Sequence, residues 1–279
     1  MKIRYLGTAA YEGVPSMFCN CRVCKESRAR GGRNIRTRSQ ALVNDELLID
    51  FNADTVTHFL KYGFDCDKLI ACLITHSHSD HLYTDDVEIF GEHFSGKHHG
   101  IDFYSARDGY EKLTEKVAVI KGDNVINVTL VEPGKRFEFS GSKGKYSVMP
   151  LSADHDPKAS SVFYSVECDG KKLLYAHDTG YFPEETFELL KKEEGHFDLL
   201  SLDCTGCLDV KDEWRCWHMG LPSCTRVVER LKSFGVVDDK TVIVLNHFSH
   251  NGGQTYDEVK AEADKLGYIT SYDGLEIEF

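Results

Sequence analysis

Proline is scarce, six residues in 279, and no serine-, glycine- or proline-rich stretch divides the chain, so nothing marks a linker between domains. With 41% hydrophobic residues, enough for a sizeable core, one domain spanning 1–279 is expected. No short-period repeat is present, which sets aside solenoid architectures. No run of eighteen apolar residues occurs either, which excludes a transmembrane helix. The opening Met1-Lys2-Ile3-Arg4-Tyr5-Leu6 is too short an apolar segment for a signal peptide, so a soluble, cytoplasmic protein without membrane contact is expected. Basic residues are in deficit: 33 Lys and Arg against 45 Asp and Glu leave a formal charge of -12, which repels phosphate polymers and disfavours nucleic acid as a partner. The local exception is 28–38, with Arg28, Arg30, Arg33, Arg36 and Arg38, either a solvated, partly helical loop or a basic patch. Ten cysteines in a chain of this kind point to thiols or metal ligands rather than a disulfide framework.

What is present centres on Leu73-Ile74-Thr75-His76-Ser77-His78-Ser79-Asp80-His81. An apolar run over 69–74 reads as a buried strand, and where it ends the chain supplies three imidazoles and a carboxylate within six positions. Such donors suit zinc, manganese or iron, and their number exceeds what one tetrahedral ion with an open position takes from a single loop, so two ions are expected. The competing reading is a surface histidine cluster without metal. A second cluster, Cys19-Asn20-Cys21-Arg22-Val23-Cys24, lies in an expected loop after the strand 2–6. Three thiols so spaced can face one ion, but tetrahedral zinc needs a fourth ligand and none follows nearby. Free thiols in a loop are the alternative.

The rest of the chain alternates strands and helices. Hairpins are expected for 40–43 with 46–49 across Asn44-Asp45, and for 161–167 with 171–176 across Asp169-Gly170. Further strands are expected over 101–104, 125–131, 137–139, 146–151, 198–202 and 241–245. Helices are expected from the Asp54 cap, and over 84–94, 109–119, 183–194 and 222–234. Several strands stop at chemistry-bearing residues: Asp50, which can fix a ligand histidine or merely serve a turn; His155; Asp178, a bridging carboxylate or a plain turn residue; and His247 with His250. His98 and His99 are set aside as ligands because they lie between glycines with no strand presenting them. Cys204 and Cys207 have redox-pair spacing, yet without a thioredoxin-like beginning they read as ordinary buried thiols. A polar insertion carries Trp214, Trp217 and His218.

The order His-x-His-x-Asp-His, a lone His, an Asp and a final His, each at a strand end, resembles the metallo-β-lactamase superfamily over essentially the whole chain. The resemblance implies an α/β fold, the αββα sandwich of two mixed β-sheets flanked by helices, with the site along one edge. It further implies two catalytic divalent ions, zinc or manganese: His76, His78 and His155 on the first, Asp80, His81 and His247 on the second, Asp178 bridging. Leu6-Gly7-Thr8, the Cys19/Cys21/Cys24 cluster and the paired His247 and His250 make the chain similar to PhnP-type phosphodiesterases, which hydrolyse phosphoribosyl cyclic phosphate. That likeness implies one structural zinc on Cys19, Cys21, Cys24 and His250, and places His218 at the general acid. Arg215-Cys216-Trp217-His218-Met219 matches more loosely, and a plain loop histidine is the alternative.

The expected function is a metal-dependent hydrolase, a phosphodiesterase acting on a small cyclic phosphate or nucleotide-like phosphodiester through a hydroxide shared by two ions. His218 and Asp80 are its catalytic candidates, and Arg36 or Arg38 is expected on substrate phosphate from charge and strand-edge position. Rival readings are a thioesterase or lactonase using the same ions, a tRNA 3′-processing-like endonuclease, and a non-catalytic nucleotide or metal sensor. The expected partner is a small phosphodiester, and a homodimer is left open.

Overall fold

The structure, a computed structural model, describes residues 1–96, 99–121, 126–208 and 217–279. In chain order its strands are β1 (Lys2–Gly7), β2 (Gln40–Val43), β3 (Leu47–Ile49), β4 (Ala71–Ile74), β5 (Ile101–Ser105), β6 (Ile126–Leu130), β7 (Phe137–Gly141), β8 (Gly144–Ser152), β9 (Val162–Cys168), β10 (Lys171–Ala176), β11 (Leu199–Asp203), β12 (Val242–Asn246), β13 (Ile269–Thr270) and β14 (Glu276–Glu278). The helices are α1 (Arg22–Arg30), α2 (Thr55–Tyr62), α3 (Arg107–Val117), α4 (Glu184–Leu190), α5 (Leu221–Ser233) and α6 (Tyr256–Ala263). The strands form two seven-stranded mixed sheets, ordered β14-β1-β2-β3-β4-β5-β6 and β13-β12-β11-β10-β9-β8-β7.

Period-two alternation along each strand divides its side chains between two layers. In β4, Ala71 and Leu73 face the second sheet, and Cys72 and Ile74 face the outer layer with Leu113 of α3. All four are buried, which is why the segment reads as an unbroken apolar run. The outer face of the second sheet packs on Phe187 and Leu190 of α4, Val227 and Leu231 of α5 and Val259 of α6. Helices thus cover both outer faces, giving the αββα sandwich. Tyrosines between the sheets bury their rings and still satisfy their hydroxyls: Tyr5 donates to Ser201 Oγ at 2.9 Å and Tyr164 to the Ile74 carbonyl at 2.6 Å.

Register decides what gathers at the edge. Strands β10, β11 and β12 run parallel, with Ala176 beside Leu202 and Asp203 beside Asn246. They therefore release Asp178, Asp203 and His247 side by side. In the first sheet β3 and β4 are parallel with Ile49 beside Leu73, so Asp50 and the histidine loop emerge together.

Both expected hairpin turns are present, with positive φ at Asn44, Asp45, Asp169 and Gly170. Other expectations need correction. The segment 84–94 forms a 3-10 helix over Thr84–Phe90 in which Val87 is the buried residue; without an apolar stripe an α-helix has no packing to stabilise it. The cysteine cluster is not all loop, since Cys21 caps α1 and Cys24 lies in its first turn. Asp54 makes no capping bond; its carboxylate accepts from the Arg38 amide at 3.0 Å and the Arg38 guanidinium at 3.2 Å. Strands β13 and β14, two and three residues long, have no periodic signal and were not anticipated. His98, Val125, Trp214, Arg215 and Cys216 lie outside the described residues. Among the described residues no helix is long and apolar enough to cross a membrane.

Candidate metal centre

The histidine loop is fixed from below before any ligand is considered. Asp50, buried at the end of β3, accepts from the Thr75 amide and hydroxyl, both at 2.9 Å, and from His81 Nδ1 at 2.7 Å. From α3, Asp108 accepts from the Ser77 hydroxyl, and Lys112 donates to the Ser77 carbonyl at 2.9 Å. Asp50, Asp178 and His247 all adopt positive φ, a conformation that turns the chain sharply at the strand end and costs on the order of 1 kcal/mol or more for residues other than glycine.

On that frame the donor atoms form overlapping groups: two share no residue, and two more, His76 with His81 and Asp178, and Asp178 with Asp203, His218 and His247, link them. His76 Nε2, His78 Nδ1 and His155 Nε2 converge, with His78 Nδ1 3.0 Å from the first and 3.4 Å from the second. Asp80, His81 and His247 make the other group. Asp178 stands between them: Oδ2 lies 2.7 Å from His81 Nε2 and 2.9 Å from His247 Nε2, and Oδ1 lies 3.7 Å from His155 Nε2. His81 Nε2, Asp178 Oδ2 and His247 Nε2 are buried without a partner at hydrogen-bonding geometry. Polar atoms are seldom left so, and three converging on one point fit a cation.

The tautomers, assigned from the partners, agree. Each histidine has an acceptor or hydroxyl at its other ring nitrogen: Thr75 for His76, Asp156 for His78 Nε2, Asp50 for His81, the Trp217 carbonyl for His155 and Thr205 for His247. The Thr205 hydroxyl already donates to the His247 carbonyl at 2.7 Å, so His247 Nδ1 must be the donor and Nε2 keeps its lone pair for a metal. Burial, reinforced by neighbouring histidines, pushes His76 well below the ordinary imidazole range, which leaves it neutral and able to ligate. Burial opposes ionisation of Asp178, but His247 and His81 outweigh it and hold the carboxyl well below its usual range.

The donor set therefore fits divalent metal. Above it opens a cavity of about 460 Å³ whose lining includes Tyr11, Glu12, Thr205, His218 and Asn251. His218 Nδ1 donates to Asp203 Oδ2 at 3.0 Å. Burial disfavours the charged imidazole, but the Asp203, Asp178 and Asp80 carboxylates prevail and push its pKa up to about 9. Asp203 also receives the amides of Asp178, Thr205 and Met219 at 3.0, 3.0 and 3.1 Å. It was not picked out as a site residue from the sequence, although it shares the strand-end position of those that were.

The cysteines and the last histidine also meet. His250 Nδ1 lies 3.6 Å from Cys19 Sγ and 3.5 Å from Cys21 Sγ, and Cys24 completes a four-ligand group. Burial works against ionisation of Cys21, but the Cys24 amide and His250 push its pKa down to about 6, toward the thiolate that a metal binds.

The two arginines expected on substrate phosphate are placed otherwise. Arg36 is buried, donating to Thr8 Oγ1 and the Ser271 carbonyl at 2.8 Å each with its guanidinium 4.1 Å from the Phe248 ring centroid, and it does not line the cavity. A buried cation needs such partners, and Nη1 makes both bonds. Arg38 donates to the Tyr11 carbonyl at 2.9 Å and pairs with Asp54, so it fastens the loop at the cavity mouth. His99 holds the Leu69 carbonyl at 2.6 Å, and the buried thiols of Cys204 and Cys207 point at backbone carbonyls.

Comparison with known proteins bears on the same residues. Residues 49–248 match the family described as "Beta-lactamase superfamily domain". A curated protein named octanoyltransferase, from Porphyromonas gingivalis (strain ATCC BAA-308 / W83), is 36% identical over 86 residues, which are 29% of this chain and 16% of that protein; the chain thus aligns with about a sixth of its length. A solved structure described as a new diphosphatase from the PhnP family superposes with a TM-score of 0.75 at 22% identity, covering 100% of this chain and 97% of that one. Zinc-bound PqqB from Methylobacterium extorquens superposes with a TM-score of 0.75 at 19% identity over 100% of both chains. At these identities the two structures speak to the fold.

Proposed function

The chain belongs to the metallo-β-lactamase superfamily, and from that membership and the paired ligand groups we propose that it is a metal-dependent hydrolase, a phosphodiesterase acting on a small cyclic phosphate or nucleotide-like phosphodiester. His76, His78 and His155 would hold one divalent ion and Asp80, His81 and His247 the other, with Asp178 offering one oxygen to each. When bound, such ions supply an acidified water and draw charge from phosphoryl oxygens. Cys19, Cys21, Cys24 and His250 would hold a structural zinc.

The observation that carries the reading is His218 on Asp203 beside this ligand set. Asp203 takes Nδ1, which leaves Nε2 to deliver a proton, and the Asp203 carboxylate favours the charged imidazole that carries it. An alkoxide is a poor leaving group, and a proton arriving as it departs is worth about 10²–10⁴ in rate. A thiolate leaves without such help, so a positioned acid favours a phosphodiester over a thioester. Acyl hydrolysis is the second reading, favoured by the short likeness to a protein named octanoyltransferase.

The test pairs metal analysis with turnover of bis-p-nitrophenyl phosphate, phosphoribosyl 1,2-cyclic phosphate, cyclic nucleotides and acyl esters. About three metals per chain with phosphodiester turnover is expected. Acyl-ester turnover alone would overturn the phosphodiesterase and keep the hydrolase. Metal at the cysteine site only, with no turnover after manganese or zinc is restored, would leave a binding protein.

A further inference from the structure

One carboxylate in the cavity belongs to neither ligand group. Glu12 lies on the loop after β1, which is fastened on three sides: the Ala10 amide donates to the Phe248 carbonyl at 3.0 Å, the Gly13 amide to Ala10 at 3.0 Å, and Arg38 holds the Tyr11 carbonyl. Its Oε1 accepts from the Ser249 hydroxyl and, at 3.5 Å, from Asn251 Nδ2, and lies 3.6 Å from His250 Nε2. Its Oε2 has no hydrogen-bond partner among the described residues. The side chain is 24% exposed and lines the same cavity as His78, Asp80, Asp178, His218 and His247. Glu12 is thus half used by the fold and half free beside the reaction centre.

We propose that Glu12 is a specificity-determining residue that accepts hydrogen bonds from the second arm of the phosphodiester, and that this arm is neutral and carries hydroxyl groups. The inference rests on the phosphodiesterase reading. An ionised carboxylate is acceptor-only, so the group that meets Oε2 must bring a proton. An anionic arm brings no proton and meets a like charge at Oε2. An ammonium arm brings a proton, and the aminoethyl substrate below separates it from hydroxyls. A hydroxyl brings a proton with no charge to strip of water, and a carboxylate accepting from ribose hydroxyls is a known way to hold a diol. Thr205 and Ser249, in the same lining, give their hydroxyl protons to the His247 carbonyl and to Glu12, so toward the arm they can only accept, which again asks the arm for protons. Tyr11, 58% exposed beside Glu12, stands at the mouth as a flat wall for the arm.

The metal-loaded enzyme is assayed on three p-nitrophenyl phosphodiesters whose second arm is 2,3-dihydroxypropyl, propyl or 2-aminoethyl, so the leaving group is constant. Wild type is expected to prefer the dihydroxypropyl over the propyl substrate by about tenfold or more in kcat/KM. Glu12→Ala should bring that ratio close to one, mainly through KM, while Glu12→Gln, which keeps an acceptor oxygen, retains part of it. Calorimetric binding of a non-hydrolysable 2,3-dihydroxypropyl phosphonate should weaken in the same order, with metal content per chain unchanged. Equal use of the dihydroxypropyl and propyl arms by wild type, or preference for the aminoethyl arm, would overturn the proposal. A Glu12→Ala protein that loses all three activities equally, along with zinc, would also overturn it, because Glu12 would then only steady His250. No turnover of any of the three by wild type, with acyl esters cleaved, would instead remove the phosphodiesterase reading beneath it.

Discussion

His218 and Asp178 lie 3.8 Å apart, yet the proposed function gives them separate duties that mutation can pull apart. On that reading His218 is a proton donor rather than a ligand beside Asp178, Asp203 and His247, so in His218→Ala metal content should hold while turnover of an alkyl phosphodiester falls by on the order of a hundredfold or more. The same variant should lose far less against a p-nitrophenyl ester, whose leaving group is stable without a proton. A His218→Ala protein that has shed metal, or that loses both substrates equally, would sink this division. Asp178→Asn should do the reverse. Its carboxylate faces His81 and His247 with one oxygen and His155 with the other, and an amide cannot serve two cations, so metal analysis should show both catalytic ions weakened with the cysteine site intact. At this scale the residues that converge were legible because each followed an apolar strand. Asp203 was not: a strand-end aspartate before a cysteine looks like turn chemistry, and only the parallel register setting it beside Asn246 brings it to His218. Arg36 and Arg38 misled for the opposite reason, since charge in a sequence does not say whether a guanidinium ends in solvent, in a cavity or in a core.

Helix α2 shows how an element can carry a titration remote from the ligands. His58 is buried, with Nδ1 2.6 Å from Gln40 Oε1 on β2 and Nε2 2.7 Å from Thr37 Oγ1. Burial pushes its pKa down from 6.5 to about 4, Asp54 opposing only in part. The folded-state value lies below the unfolded one, so on acidification the unfolded chain takes up the proton first. Stability contributed by the neutral ring is therefore whole above 6.5, falls as pH drops toward 4, and is gone below that. Two and a half units correspond to about 3 kcal/mol. Denaturant titrations at a series of pH values should show a steeper loss across this window in wild type than in His58→Gln, which cannot titrate. Release of metal in acid is common to both proteins and cancels in the difference. Parallel curves would mean that His58 is not held neutral. The helix was expected from the sequence, yet its apolar residues Val56, Phe59 and Leu60 are exposed and Thr55 and His58 are the buried ones. The start of α1 was not expected, because the residue that caps it is Cys21, whose thiol reads in sequence as a metal ligand alone.

On the scale of the whole molecule, the cations would join two halves. His76, His78, Asp80 and His81 follow β4 of the first sheet, while His155, Asp178 and His247 follow β8, β10 and β12 of the second. The sandwich was foreseeable because the order of these residues and their strand-end placement resembled those of a known superfamily, whose fold the resemblance implied. Its outer strands were not, since β13 and β14 are set by pairing with β12 and β1 rather than by any pattern of their own. Without cations that edge is a cluster of buried carboxylates and imidazoles from opposite sheets, with three polar atoms lacking partners. Ligands that exist together only in the folded state make metal binding a folding term: at free metal a hundred times the dissociation constant, each ion adds about 2.7 kcal/mol. For a chain of this size each kcal/mol moves the midpoint by about 2–4 °C, so loading both catalytic positions should raise the thermal midpoint by on the order of 10 °C, in a metal-concentration-dependent way. Asp178→Asn should forfeit most of that rise and keep the part due to the cysteine site, while Cys21→Ser should do the converse. If the Asp178 variant gained as much from metal as wild type, the two sheets would not be held by shared cations, and the cluster at their edge would need a different explanation.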